Sequence, residues 1–108
     1  MAEWAFDAFI VDEQRRQLRH GGQLIPLEPQ EVHVLVTLVR HHRRVVPKNE
    51  LLDTVWHSRW VSDTTVTTRI KTLRRALGDD GLAQRYIRTV RCRGYRFVGD
   101  VRLLEPSA

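Results

Sequence analysis

The sequence predicts an α+β fold: short antiparallel strands, then three helices, then a β-hairpin rich in arginine. Three observations predict it. From Trp4 to Leu27 apolar and polar residues alternate, the two-residue period of a strand. Val32, Leu35, Val36 and Val39 lie on one face of a helix, and helical spacing returns at Val66, Ile70, Leu73 and Leu77. Near the C-terminus "TVRCRGYRFV" mixes strand-forming residues with three arginines around one glycine.

The alternation of the N-terminal segment is broken at His20–Gly22, and "RQLRHGGQLIPL" is its clearest hairpin. The first helix opens at Pro29, whose fixed φ suits a first helical position. Glu31 falls in its first turn, where negative charge is favoured, and His41–Arg44 place cations near its end. An extended "RVVP" follows. A second, short helix is expected from Lys48 to Trp56, burying Leu51, Leu52, Val55 and Trp56. Pro47 stands before it and supplies no side-chain cap. "HSRWVSD" then breaks the pattern. Trp60, in that break, is the tryptophan expected to be exposed.

The third helix, about 64–77, is the most informative. Val66, Ile70, Leu73 and Leu77 form its apolar stripe. At about 100° per residue, Thr64, Thr68, Lys71, Thr72 and Arg75 point away from that stripe. Arg69 and Arg74 flank it on opposite sides. Ser62 or Asp63 can cap the start, and Gly78 can end it. "GDDG" makes a turn. Tyr86–Arg91 and Tyr95–Val98 read as strands around "RCRG", their register left open. Gly94 is expected to permit the tight turn, while Val90, Tyr95 and Phe97 anchor the hairpin. Two helices close in sequence, the second basic on its outer face, suggest a helix-turn-helix, and the trailing basic hairpin a wing.

Charge supports a polyanion partner. Residues 1–56 hold seven Lys/Arg and eight Asp/Glu, whereas residues 57–108 hold eleven and five, so the net charge of +5 sits in the second half. Arginine outnumbers lysine sixteen to two, and its fork suits phosphate and guanine edges. A length of 108 residues suits one domain, with a core of about 4–99 and a tail or linker start at 100–108. No apolar run is long enough to cross a membrane, so no membrane contact is expected from this segment. "MAEWAFDAF" lacks the basic-then-apolar pattern of a signal peptide, and one cysteine fits a reducing cytosol. The expected location is therefore cytoplasmic, on the nucleoid. His20, His33, His41, His42, His57 and Cys92 show no zinc-ligand spacing, so neither metal nor cofactor is expected. The sequence also has no phosphate loop, nucleophile elbow or His-centred constellation, so no enzymatic activity is expected.

The pieces "FIVDEQRRQLRHGGQLIPLEPQE", "VVPKNELLDTVW", "TTRIKTLRRALGDD" and "IRTVRCRGYRFVG" resemble the OmpR/PhoB-type winged helix-turn-helix domain, the DNA-binding half of many bacterial response regulators. The resemblance runs from about Trp4 to Val98, and the last piece is highly specific. It implies an N-terminal four-stranded antiparallel sheet, three helices and a C-terminal hairpin wing at 87–98. It implies sequence-specific binding of double-stranded DNA in transcription regulation, with the third helix in the major groove and the wing in the minor groove. The groove-facing positions it implies are Thr64, Thr65, Thr68, Arg69, Lys71, Thr72 and Arg74, beside Arg75 from the helical wheel. Its wing positions are Thr89, Arg91, Arg93 and Tyr95, with Arg93 aimed at the minor groove and Cys92 standing where the wing often has glycine. The loop carrying His57, Ser58, Arg59 and Trp60 resembles the family's transactivation loop, which implies contact with RNA polymerase. Head-to-tail dimerisation on direct repeats is implied too. No receiver domain is expected before this domain, as in regulators that carry a sensory, membrane or enzymatic domain after it or in a free-standing small regulator. A second reading keeps the fold as a protein-interaction module for polymerase or a fused partner domain; the basic third helix and wing argue against it.

Overall fold

In the computed structural model, residues 3–57 and 61–104 are described, apart from the side chain of residue 63. Four short strands open the chain: β1 (Glu3–Phe6), β2 (Phe9–Asp12), β3 (Gln17–His20) and β4 (Gln23–Ile25). Each pairs antiparallel with the next. Trp4, Val11, Leu18 and Ile25 stand opposite one another across the sheet, so they share a face. Val11 and Leu18 on that face are fully buried.

The sheet has five strands rather than four. The segment expected to be a tail supplies β7 (Arg102–Leu104), which pairs antiparallel with β1 and gives the order β4-β3-β2-β1-β7. Without it β1 would be an open edge with unpaired backbone groups. Three residues carry too little periodicity to announce a strand, and the partner is a hundred residues away in sequence.

Helix α1 (Pro29–Arg40) begins with Pro29 and is capped by Glu31, whose Oε1 accepts the Glu28 N–H at 3.0 Å. Val34 and Leu38 are buried along with the expected stripe of Val32, Leu35, Val36 and Val39. The cause is position: α1 touches β3 on one side and the second helix, α3 (Asp63–Ala76) and β6 (Gly94–Phe97) on others. A helix enclosed on most sides reads as nearly continuous apolar sequence.

Helix α2 (Lys48–Leu51) runs into one π-helical turn, Leu52–Trp56, matching the expected span. Pro47 makes no side-chain cap. Instead the Arg44 guanidinium forks onto Glu50, at 2.9 and 2.6 Å, and holds the first turn. Helix α3 (Asp63–Ala76) precedes the wing strands β5 (Ile87–Val90) and β6 (Gly94–Phe97). Phe97 is buried among Phe6, Phe9 and Tyr86, with Phe6 and Phe97 edge-to-face at 4.8 Å. The Tyr86 hydroxyl donates to Asp7, so the wing base is tied to the first sheet by packing and by a hydrogen bond.

Candidate nucleic-acid interface

Helix α3 buries the predicted stripe: Val66, Ile70, Leu73 and Leu77 are all inaccessible or nearly so. This fixes which face is left for a ligand. Thr64, Thr68, Lys71 and Arg75 are exposed, and Thr65 and Thr72 are half-buried. The Thr72 hydroxyl donates to the Thr68 carbonyl at 3.1 Å, and the Thr65 hydroxyl lies 3.4 Å from that of Ser62. Ser62 occupies the cap position but makes no side-chain bond to the helix backbone. The other end is closed in full. Gly78, at φ +69°, lets its N–H reach the Arg75 carbonyl (3.1 Å) and the Asp79 N–H reach the Arg74 carbonyl (2.7 Å).

The two arginines flanking the stripe serve the fold. Arg69, expected at phosphate, donates to Glu31 at 3.0 Å and lies 3.5 Å from Glu28. Glu31 is buried, so its carboxylate needs a cation nearby. Arg74, also expected at phosphate, donates to the Ile87 carbonyl from Nε (3.2 Å) and Nη2 (3.0 Å) and to the Thr89 hydroxyl at 2.7 Å. A helical wheel places both residues correctly but says nothing of acceptors on other elements.

Tyr95, expected among the DNA-contacting residues, is 4% exposed and belongs to the core. Strand β6 is paired on both sides there: with Thr89 in β5, and with Val46 through N–H to carbonyl bonds of 2.7 and 3.0 Å. That second pairing also explains Gly94. A Cβ there would lie 2.2 Å from the Val46 carbonyl oxygen and 2.8 Å from the Pro47 Cα. Close approach of two backbones, at φ +145°, sets the need for glycine more than the turn itself does.

The turn is made by Arg91, Cys92 and Arg93, all exposed, closed by the Arg93 N–H on the Val90 carbonyl at 2.9 Å. Cys92 sits at φ +64°, in the left-handed region. The sequence gives no chemical reason for its thiol, but the backbone explains why glycine is common there. Cys92→Gly is expected to stabilise the domain by about 0.5 kcal/mol, the left-handed penalty less glycine's extra chain entropy. The readout is a rise of about 2–4 °C in thermal midpoint; a fall contradicts the assignment of strain to this residue.

Lys48, Asn49 and Thr67, three residues not anticipated from sequence, join the site. Lys48, Thr67, Lys71, Arg75 and Thr89 line one cleft between α3 and the wing, and Asn49 with Lys48 faces Arg91 and Arg93. Lys48 did carry a signal. A cation in the first turn of a helix opposes the helix dipole, so it is placed against local stability. Asp79 anchors the loop between α3 and the wing. Its buried carboxylate accepts the backbone N–H groups of Asp80 (2.8 Å), Arg85 (2.9 Å) and Tyr86 (2.9 Å). Burial alone raises its pKa, but these bonds outweigh it and hold the carboxyl below its ordinary value. His57 is exposed, in the left-handed region at the end of the π turn; Ser58, Arg59 and Trp60 lie outside the described residues. Among the described residues no group of three His, Cys, Asp or Glu is placed to hold a metal ion, and no helix is long and apolar enough to cross a membrane.

A helix-turn-helix with its second helix exposed and a β-hairpin beside it defines a winged-helix protein. The chain belongs to the family described as transcriptional regulatory protein, C terminal, whose model matches residues 22–97; this is the OmpR/PhoB-type DNA-binding domain. It is 37% identical over 106 residues to the transcriptional regulator HilA of Salmonella typhi, covering 98% of this chain and 19% of HilA. It is 33% identical over 99 residues to the transcriptional activator CadC of Escherichia coli K12, covering 91% of this chain and 18% of CadC. The chain thus spans about a fifth of these relatives. Among solved structures, the DNA-binding domain of E. coli CadC superposes with TM-score 0.81 at 30% identity, covering 96% of this chain and 98% of that one. The Klebsiella pneumoniae RstA DNA-binding domain, in complex with the RstA box, superposes with TM-score 0.78 at 27% identity, covering 88% and 95%.

Proposed function

We propose that this chain binds double-stranded DNA sequence-specifically as part of a bacterial transcription regulator. Helix α3 enters the major groove and the wing meets the minor groove. The observation that carries this reading is the shared cleft. Lys48 on α2, Lys71 and Arg75 on α3 and Thr89 on β5 open onto one surface, with Arg91 and Arg93 on the same wing. Family membership and a DNA-bound structural relative support it.

Lys71 is the long cation at the centre of the exposed face, and lysine donates to guanine O6 and N7. Thr68 and Thr72 offer methyl groups to thymine and hydroxyl oxygens to base edges or phosphate. Thr64, Thr65, Arg75, Thr89 and Arg91 contact the backbone. Arg93, at the hairpin tip, enters a narrow minor groove. Arg93→Ala is expected to weaken binding most where the flanking sequence is A·T-rich, and equal losses on G·C-rich flanks contradict this role. Residues of the whole chain form one DNA-binding unit working in the cytoplasm on the nucleoid. The loop His57–Trp60 contacts RNA polymerase, and copies bind direct repeats head to tail. A sensory or effector domain is a partner of this unit, fused C-terminal to it.

The function is tested by selecting bound sequences from a random duplex pool, then by an electrophoretic shift against random duplex competitor. A recovered consensus that resists the competitor supports the reading. Binding that random duplex removes as readily as the selected one contradicts sequence specificity.

A further inference from the structure

We infer that Arg74 is a positioning residue: it sets the spacing between the helix that reads the major groove and the hairpin that reads the minor groove. The inference rests on the proposed DNA-binding function and deepens it. Arg74 leaves α3 on the flank facing the wing. Its Nε and Nη2 both donate to one backbone carbonyl, Ile87, and Nη2 also reaches the Thr89 hydroxyl at 2.7 Å. One planar guanidinium therefore spans from the recognition helix to two residues of β5, two positions apart on one strand. Lysine has a point charge without the planar fork and cannot reproduce that geometry.

The rest of the wing's attachment lies elsewhere. Phe97 and Tyr86 hold its base to the aromatic cluster, and Tyr95 holds β6 to Val46. Thr89 is exposed and lines the cleft beside Lys71 and Arg75. The strut thus closes the base of the surface that meets DNA, while its own charge is turned onto a neutral carbonyl. A side chain committed this way acts on DNA through the wing, whereas a phosphate contact acts through counterion release.

The two roles predict different measurements. Two duplexes carry the selected major-groove site with A·T-rich or G·C-rich sequence under the wing. Binding of the wild type, Arg74→Met and Arg74→Lys is measured on both across a salt series. The strut role predicts that Arg74→Lys behaves as Arg74→Met in salt slope and in preference, because neither variant holds the wing. Their preference for the A·T-rich duplex drops about fivefold, the discrimination carried by roughly one base pair of readout. A phosphate role predicts that the salt slope of Arg74→Met falls by about 0.9 and that Arg74→Lys restores it; this result overturns the inference whatever happens to the preference. A second readout needs no DNA. In the free protein, amide hydrogen exchange should quicken at Ile87–Val90 in both variants while Ile70–Leu73 in α3 stay protected, and unchanged exchange in the wing overturns the inference. Should the wild type show no preference between flanks, the minor-groove reading fails, and the strut is decided by the exchange data alone.

Discussion

Alanine at position 94 is expected to destabilise the domain by about 3 kcal/mol or more, a large effect for one added methyl. The Cβ would stand 2.2 Å from the Val46 carbonyl oxygen, and the atoms it meets are backbone, which cannot rotate away. The φ of +145° is itself rarely open to a residue with a side chain. Relief requires β6 to move off Val46, which breaks the pair of hydrogen bonds between Val46 and Tyr95 and unseats the wing. Denaturant titration checks the number, and a shift in midpoint equivalent to less than about 0.5 kcal/mol contradicts the close approach. Cys92→Gly, two residues away, is expected to change stability with the opposite sign. The pair therefore separates backbone conformation from simple tolerance of the hairpin.

Asp79→Ala is expected to cost about 3 kcal/mol, because three backbone N–H groups lose a charged acceptor at a buried site. The loop between α3 and the wing loses its anchor with them. The pH dependence follows from the direction of the shift. Asp79 has its folded pKa below the ordinary value of 3.8. Its stabilisation is therefore fully present above about pH 4 and is lost as pH falls through the lower folded pKa. The difference in unfolding free energy between wild type and Asp79→Ala should be constant near neutrality and shrink in acid below about pH 4. A gap that widens on acidification contradicts the assignment.

Much of this fold is legible in the sequence because burial and period coincide. Helix α3 is buried on one side only, so Val66, Ile70, Leu73 and Leu77 announce its face directly. The Gly21–Gly22 hairpin and the Schellman end at Gly78 are equally local. What stayed hidden is non-local. β7 is three residues long and pairs with the first strand. Tyr95 reads both as a DNA-facing wing position and as an anchor of the hairpin, and the pairing of Val46 beside it decides for the anchor. Arg69 and Arg74 look like free cations until Glu31 and the Ile87 carbonyl are placed against them. Charge counting therefore overstates the cations available to DNA, while Lys48 adds one from an element that the helical wheel of α3 could not include.

That recount gives the central claim a number. Lys48, Lys71, Arg75, Arg91 and Arg93 line the clefts beside α3 and the hairpin tip, whereas Arg69 and Arg74 are engaged within the fold. The most direct measurement is binding to the selected duplex, followed by fluorescence anisotropy from about 50 to about 200 mM salt. Lys48, Arg75 and Arg91, the three of these not assigned to base edges or the minor groove, at about −0.9 per phosphate predict a log–log slope of about −2.7. A slope close to zero contradicts DNA binding through this surface.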